Sequence, residues 1–381
     1  MTGGHDSVLL HAREGSLLAQ GAAPALAVPA ARLGEAVARH FEGRDASARL
    51  VGALPFDRGA PCHLLAPASL AEGPAVDPWL RRMAEGAAPG AAWALEARPP
   101  RAHYEAAVAR CLQRLDGDLR KVVLARTLRA HSPAPVNPWQ LALRLAADPQ
   151  VLRYVVPLPV AAGEPPAWLV GATPERLLSR RGARILSEPL AGSAPRSADD
   201  SASRAGAEAL QRSAKDQREH RYVVQAIADL LAPLCRQLRV PAAPALHATA
   251  SMWHLGTRIE GELEDAALAD TSSAALAALL HPTPAVCGTP RERAAPCIAE
   301  LEPEPRGFYA GAVGWCDAAG DGDWHVALRC ARVQGHEARL FAGAGIVAGS
   351  APASEGAETR AKFNAMLDAL GVDPAALPLH L

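Results

Sequence analysis

Residues 213–231, SAKDQREHRYVVQAIADLL, open with Lys215, Asp216, Arg218, Glu219, His220 and Arg221 before turning apolar. On a helix turning about 100° per residue, Asp216, Glu219, Val223, Ile227 and Leu230 fall inside an arc of roughly 80°. Both carboxylates therefore ride the stripe such a helix buries. Lys215, Arg218 and Arg221 fall off it, towards solvent, and His220 lies near its edge. Bare carboxylates on an apolar face are costly unless a cation or donors compensate them. The same spacing recurs in SAPASEGAETRAKFNAMLDALG, where Glu355, Glu358 and Lys362 share a face, Phe363, Met366, Leu367 and Leu370 form the adjoining apolar stripe, and Gly371 is a C-terminal stop. Two acidic pairs on separate helices could converge on a hard divalent cation, which prefers oxygen ligands. Spacing alone equally allows a charged first helical turn that suits the dipole, or a surface Glu–Lys pair.

These helices need strands to face. RKVVLARTLRA alternates, placing Lys121, Val123 and Ala125 on one side and Val122, Leu124 and Arg126 on the other. Residues 168–192 read as strand, tight turn, strand, hairpin, strand. Residues 308–347 repeat the pattern through the turns DAAGDGD and GHEA, as an antiparallel meander. Helices are expected over 104–115 and around 202–238, 262–280 and 356–370, with strands and turns in the first hundred residues. Strand blocks separated by helix blocks predict an α+β fold.

The 381 residues would by length alone make two or three domains, although one large mixed fold can absorb them. With 39 basic and 40 acidic side chains the formal charge is −1, which removes the electrostatic case for nucleic acid or a membrane surface and leaves a small molecule as the expected partner. Seven scattered cysteines without a CxxC pair suit reduced thiols. No secretory signal and no long apolar run is present, so a cytoplasmic location is expected. GAGIVAGS lacks a complete G-x-G-x-x-G and a following acidic residue, which disfavours a nucleotide-dependent oxidoreductase.

In order along the chain, KVVLAR, GATPERLL, EPLAGSAPR, KDQREH, WHLGTRIEGEL, LHPTPAVCGTPR, RGFYAGAVGW, ALRCA and AGAGIVAGSAPASEGAET resemble the chorismate-utilising enzymes, the family of isochorismate, anthranilate, salicylate and aminodeoxychorismate synthases. GALPFD, near residue 52, is similar to the family's amino-terminal region more weakly. The resemblance implies one domain over residues 1–381, with 1–100 the less similar part and 101–375 the catalytic core. It implies two antiparallel sheets packed as a sandwich with helices outside, and a Mg²⁺-dependent site between sheets and helices. Glu219 and Glu358 would coordinate Mg²⁺, with Asp216 and Glu355 on the metal or just behind it, and the metal would hold the ring carboxylate of chorismate.

Lys121 stands where isochorismate- and salicylate-forming members carry the lysine that activates water. Ala191 stands where many aminodeoxychorismate synthases place a nucleophilic lysine, and HPTPAVCGTP most resembles isochorismate-forming members. The resemblance therefore implies an isomerase that adds water at C2 of chorismate as the C4 hydroxyl leaves, feeding siderophore, salicylate or menaquinone biosynthesis. The alternative is a salicylate synthase, which then eliminates pyruvate. No glutaminase subunit is expected, and a monomer is implied. Such chemistry asks for a base and an acid. Lys121 takes the first role, with a pKa lowered on its apolar strand face, and Glu175 the second, with a pKa raised by burial or nearby carboxylates. Substrate-holding roles carry over to Gly192, Ser193, Ala285, Arg329, Gly345 and Lys362. Arg329 suits the enolpyruvyl carboxylate, and the two glycines allow close backbone approach or mark bulges. His254 lies near the ring in this reading, or is a satisfied core histidine.

Overall fold

The structure, a computed structural model, describes residues 5–12, 15–86, 93–115, 117–145, 148, 150–197 and 199–373. Among the described residues, antiparallel pairing builds sheets of ten, nine and three strands. In the ten-stranded sheet, side chains alternate between two cores. Leu10, Tyr154, Val156 and Leu169 pack into the core shared with the nine-stranded sheet. Leu9, Val155, Trp168 and Val170 pack outward, with Trp79, Trp139, Phe363 and Leu367 of the covering helices. This period of two lets each strand serve both layers of a sandwich with helices outside, the α+β architecture expected. Strands from the first hundred residues enter both large sheets: Val8–Ala12 and Gly15–Gln20 the ten-stranded one, Arg49–Leu54 and His63–Ala66 the nine-stranded one.

The helices that carry the acidic pairs are set by local signals. Ser213 ends the helix Asp200–Arg212 and caps Ala214–Leu231, its hydroxyl accepting the Asp216 N–H at 3.2 Å. Pro233 keeps that helix from continuing, and Cys235–Arg239 is a strand, not the last part of a helix to 238. The expected helix over 262–280 is two short ones, Asp265–Asp270 and Ser273–Leu280, after the strand Ile259–Leu263. Pro352–Leu370 ends at Gly371, whose φ of 77° supplies the left-handed stop.

The two expected meanders are each broken between sheets. Ala167–Thr173 lies in the ten-stranded sheet and Arg176–Arg181 in the nine-stranded one, so Pro174 and Glu175 form a crossing instead of a hairpin turn. WHVALRCARV splits likewise: Gly322–Val326 is in the nine-stranded sheet, Cys330–Gln334 in the ten-stranded one, and residues 327–329 cross. The crossings are bonded to each other, Val326 N–H to the Glu175 carbonyl at 3.1 Å and Ala172 N–H to the Arg329 carbonyl at 3.2 Å. No helix among the described residues is long and apolar enough to cross a membrane. All seven cysteines stand free.

Candidate active site

Lys121 begins the strand Lys121–His131, paired in register along its whole length with Glu337–Val347. Its side chain has no exposed surface, and its Nζ lies 2.9 Å from Glu219 Oε1 in an ion pair whose geometry completes no hydrogen bond. The opposing strand brings Gly345 opposite Val123, and the glycine is required there: a Cβ would stand 2.1 Å from Glu219 Oε1 and 3.0 Å from Lys121 Cε. The expected close approach is thus to the protein's own carboxylate, and the pairing runs through Gly345 without a bulge. Gly192 is the bulged one. Its φ is 78°, the register shifts between Leu190 and Ser193, and a Cβ would meet Asp216 Cβ at 3.1 Å.

The two acidic pairs converge from separate helices. Glu358 Oε1 accepts from Ser193 Oγ at 2.9 Å and from Lys362 Nζ at 2.5 Å, and Lys362 also donates to the Gly343 carbonyl at 2.8 Å. Burial works against the Glu358 charge, but Lys362, Lys215 and the Ser193 hydrogen bond together outweigh it and hold the carboxyl below its ordinary value. Glu355 is 1 % exposed, pairs with Lys215 at 2.9 Å, and keeps Oε2 buried without a hydrogen bond. Burial, then the Glu358 charge, push its carboxyl up. Asp216 is half-buried and is also pushed up, by burial with further contributions from Glu219 and Glu358. Lys215 corrects the sequence reading: the helical wheel sends it to solvent, but its long stem bends back to Glu355.

The sheet crossings supply the other wall. Glu175, 2 % exposed, is pushed up to about 8 by burial, against the charges of Lys121, Arg329 and Lys362 and a hydrogen bond from the Leu190 backbone. It is therefore largely a neutral acid at pH 7. Arg329 sits at φ 47°, in the left-handed region that non-glycine residues seldom occupy, and its guanidinium makes no hydrogen bond to any described residue. His254 pairs with Ser193 across the three-stranded sheet, and burial, then Arg329 and Lys362, push its pKa well down, so it is neutral. One cavity is lined by Glu175, Gly192, Ser193, Glu219, His254, Ala285, Arg329, Gly345, Glu358 and Lys362. Of the sequence-predicted residues, Lys121, Asp216 and Glu355 stand just behind this lining.

Several positioning groups escaped the sequence reading. Arg306 and Glu302 form a buried ion pair at 2.5 Å. Arg306 also donates to the carbonyls of Val286 and Val123, and Glu302 accepts the Ala125 N–H. The pair ties the loop of Ala285 to the strand of Lys121. Tyr309 and Phe341, stacked at 4.7 Å, line the cavity floor. The run PRGFYAGAVGW holds Arg306 and Tyr309, but nothing in its spacing shows which side chains turn inward.

No group of three or more His, Cys, Asp or Glu side chains stands at metal-holding distances among the described residues. The donors nevertheless fit a hard cation: carboxylate oxygens from two helices share one electrostatic environment, and Glu355 Oε2 is buried without a partner.

An acid kept neutral at pH 7, beside an arginine with no hydrogen bond to any described residue, is an arrangement that can exchange a proton with a small anionic ligand. The chain belongs to the chorismate-binding enzyme family, whose model, described as chorismate binding enzyme, matches residues 82–371. It is 42% identical over 347 residues to isochorismate synthase DhbC of Bacillus subtilis (strain 168), covering 90% of this chain and 85% of that one. It is 38% identical over 326 residues to isochorismate synthase EntC of Escherichia coli (strain K12), covering 85% and 81%. A crystal structure from Bacillus anthracis, ascribed to a 2,3-dihydroxybenzoate-specific isochorismate synthase, DhbC, superposes with a TM-score of 0.88 at 38% identity, over 97% of each chain.

Proposed function

We propose that this chain is an isochorismate synthase that converts chorismate to isochorismate, with Lys121 as base and Glu175 as acid. The observation that carries the reading is the buried, neutral Glu175 lining the cavity, with the fully buried, under-bonded Lys121 just behind that lining against Glu219. Lys121 Nζ takes a proton from water as its oxygen bonds to C2. The C1=C2 double bond shifts to C1=C6, the C5=C6 double bond shifts to C4=C5, and the C4 hydroxyl leaves as water on receiving the Glu175 proton. One water enters and one departs, so the product is an isomer, and a proton returned from Lys121 to Glu175 resets the pair.

Glu219 and Glu358 would hold Mg²⁺, with Asp216 and Glu355 behind them. When bound, the cation would supply positive charge for the substrate's ring carboxylate. Arg329 is available for the enolpyruvyl carboxylate as a two-pronged donor, and Ser193, Lys362 and the Gly192 and Ala285 backbones border the same space. Neutral His254 offers a ring nitrogen without adding charge. The reading is tested by incubating the purified protein with chorismate and Mg²⁺. Isochorismate should accumulate, and release of salicylate with pyruvate would instead establish the salicylate synthase reading.

A further inference from the structure

Lys215 has no role in the chemistry above, yet its ammonium sits among the four carboxylates. Its Nζ is 2.9 Å from Glu355 Oε1, with the lysine side chain 28 % exposed and the glutamate 1 %. Glu219 and Glu358 also act on it, and it acts on Asp216, so one charge couples to every acidic member of the cluster. The other two lysines are committed elsewhere: Lys121 is sealed against Glu219 under Gly345, and Lys362 is held between Glu358 and the Gly343 carbonyl. Among the described carboxylates of the cluster, Glu355 keeps a buried oxygen that completes no hydrogen bond of normal geometry, with the Ser350 hydroxyl beside it.

We propose that Lys215 is an internal counter-cation that competes with the divalent metal for the carboxylate cluster and so holds metal affinity down. The proposal rests on the metal reading above. Lys215 makes the carboxylate cluster one charge less negative than it would be without the ammonium. A divalent cation therefore enters a weaker negative potential with Lys215 in place than with Lys215 neutralised. The ammonium also holds Glu355 by one oxygen, so that its carboxylate is engaged when a metal arrives. Charge repulsion and the engaged ligand act in the same direction.

The test is direct binding of Mn²⁺, followed by the loss of the free-ion electron paramagnetic resonance signal, to the full-length protein and its Lys215→Met, Lys215→Gln and Lys215→Arg variants. Lys215→Met and Lys215→Gln should each bind Mn²⁺ about tenfold more tightly, as expected for removal of one like charge at partly screened range, and Lys215→Arg should match the wild type. Glutamine keeps a donor for Glu355 without the charge, so it separates charge from propping. If Lys215→Met binds less tightly and Lys215→Gln restores the wild-type value, the lysine is a structural prop and the proposal falls. Unchanged affinity in both also overturns it, while leaving the metal reading intact. Absence of Mn²⁺ binding in wild type and variants alike overturns both.

Discussion

Glu175 owes its acid form to its place at a sheet crossing. A carboxyl there is walled in on both sides, and burial outweighs three nearby cations. Its carboxyl moves from the ordinary 4.5 up to about 8, so the stability it contributes is fully present below pH 4.5 and is lost as pH rises through 8. Two outcomes follow for Glu175→Gln. Turnover should fall by about 10²- to 10⁴-fold, and the alkaline limb near pH 8 expected in the wild-type pH–rate profile should be lost. The variant should also gain thermal stability relative to the wild type as pH is raised from 5 to 9, because an amide has no charge to bury. Equal pH dependence of melting in the two proteins would show that Glu175 is already ionised in the fold. Gly345 makes the complementary case for space. In Gly345→Ala the methyl must displace the flexible end of Glu219, so the fold should survive while Mn²⁺ affinity drops at least about tenfold, and an unchanged affinity would remove Glu219 from the metal set.

Between elements, the Arg306–Glu302 pair fixes the distance from the Ala285 loop to the Lys121 strand through three backbone groups. Arg306→Met would leave a buried carboxylate unpaired and two carbonyls without donors, a loss of roughly 3–5 kcal/mol. Chemical denaturation should show it as a lower midpoint, with part of the loss recovered in the Arg306→Met, Glu302→Gln double variant. No recovery would mean that the two side chains act independently. Neither partner was legible in the sequence, because an i,i+4 Glu–Arg pair is most often a solvated surface pair. The acidic pairs were legible for the opposite reason: their helices carry enough apolar residues to reveal which face turns inward. Lys215 defeated the same wheel, since a wheel locates Cβ atoms and says nothing of where a four-carbon stem ends.

Across the whole molecule, the alternation of the strands disclosed a half-buried sheet, and the blocks of strands and helices disclosed α+β layering. What stayed hidden was the change of sheet at both places: residues 174–175, Pro-marked and short, read like a tight turn, and residues 327–329, Ala-Leu-Arg, read as the interior of one continuous strand. That hidden step is where the proposed site is assembled. The linked crossings bring Glu175 and Arg329 to the cavity that Glu219 and Glu358 of the two acidic helices also line. The central claim is that this end adds solvent water to the ring, and the most direct measurement is mass spectrometry of isochorismate formed from unlabelled chorismate in H₂¹⁸O. One ¹⁸O atom at the C2 hydroxyl is the predicted result. Isochorismate carrying only the original oxygen would contradict it.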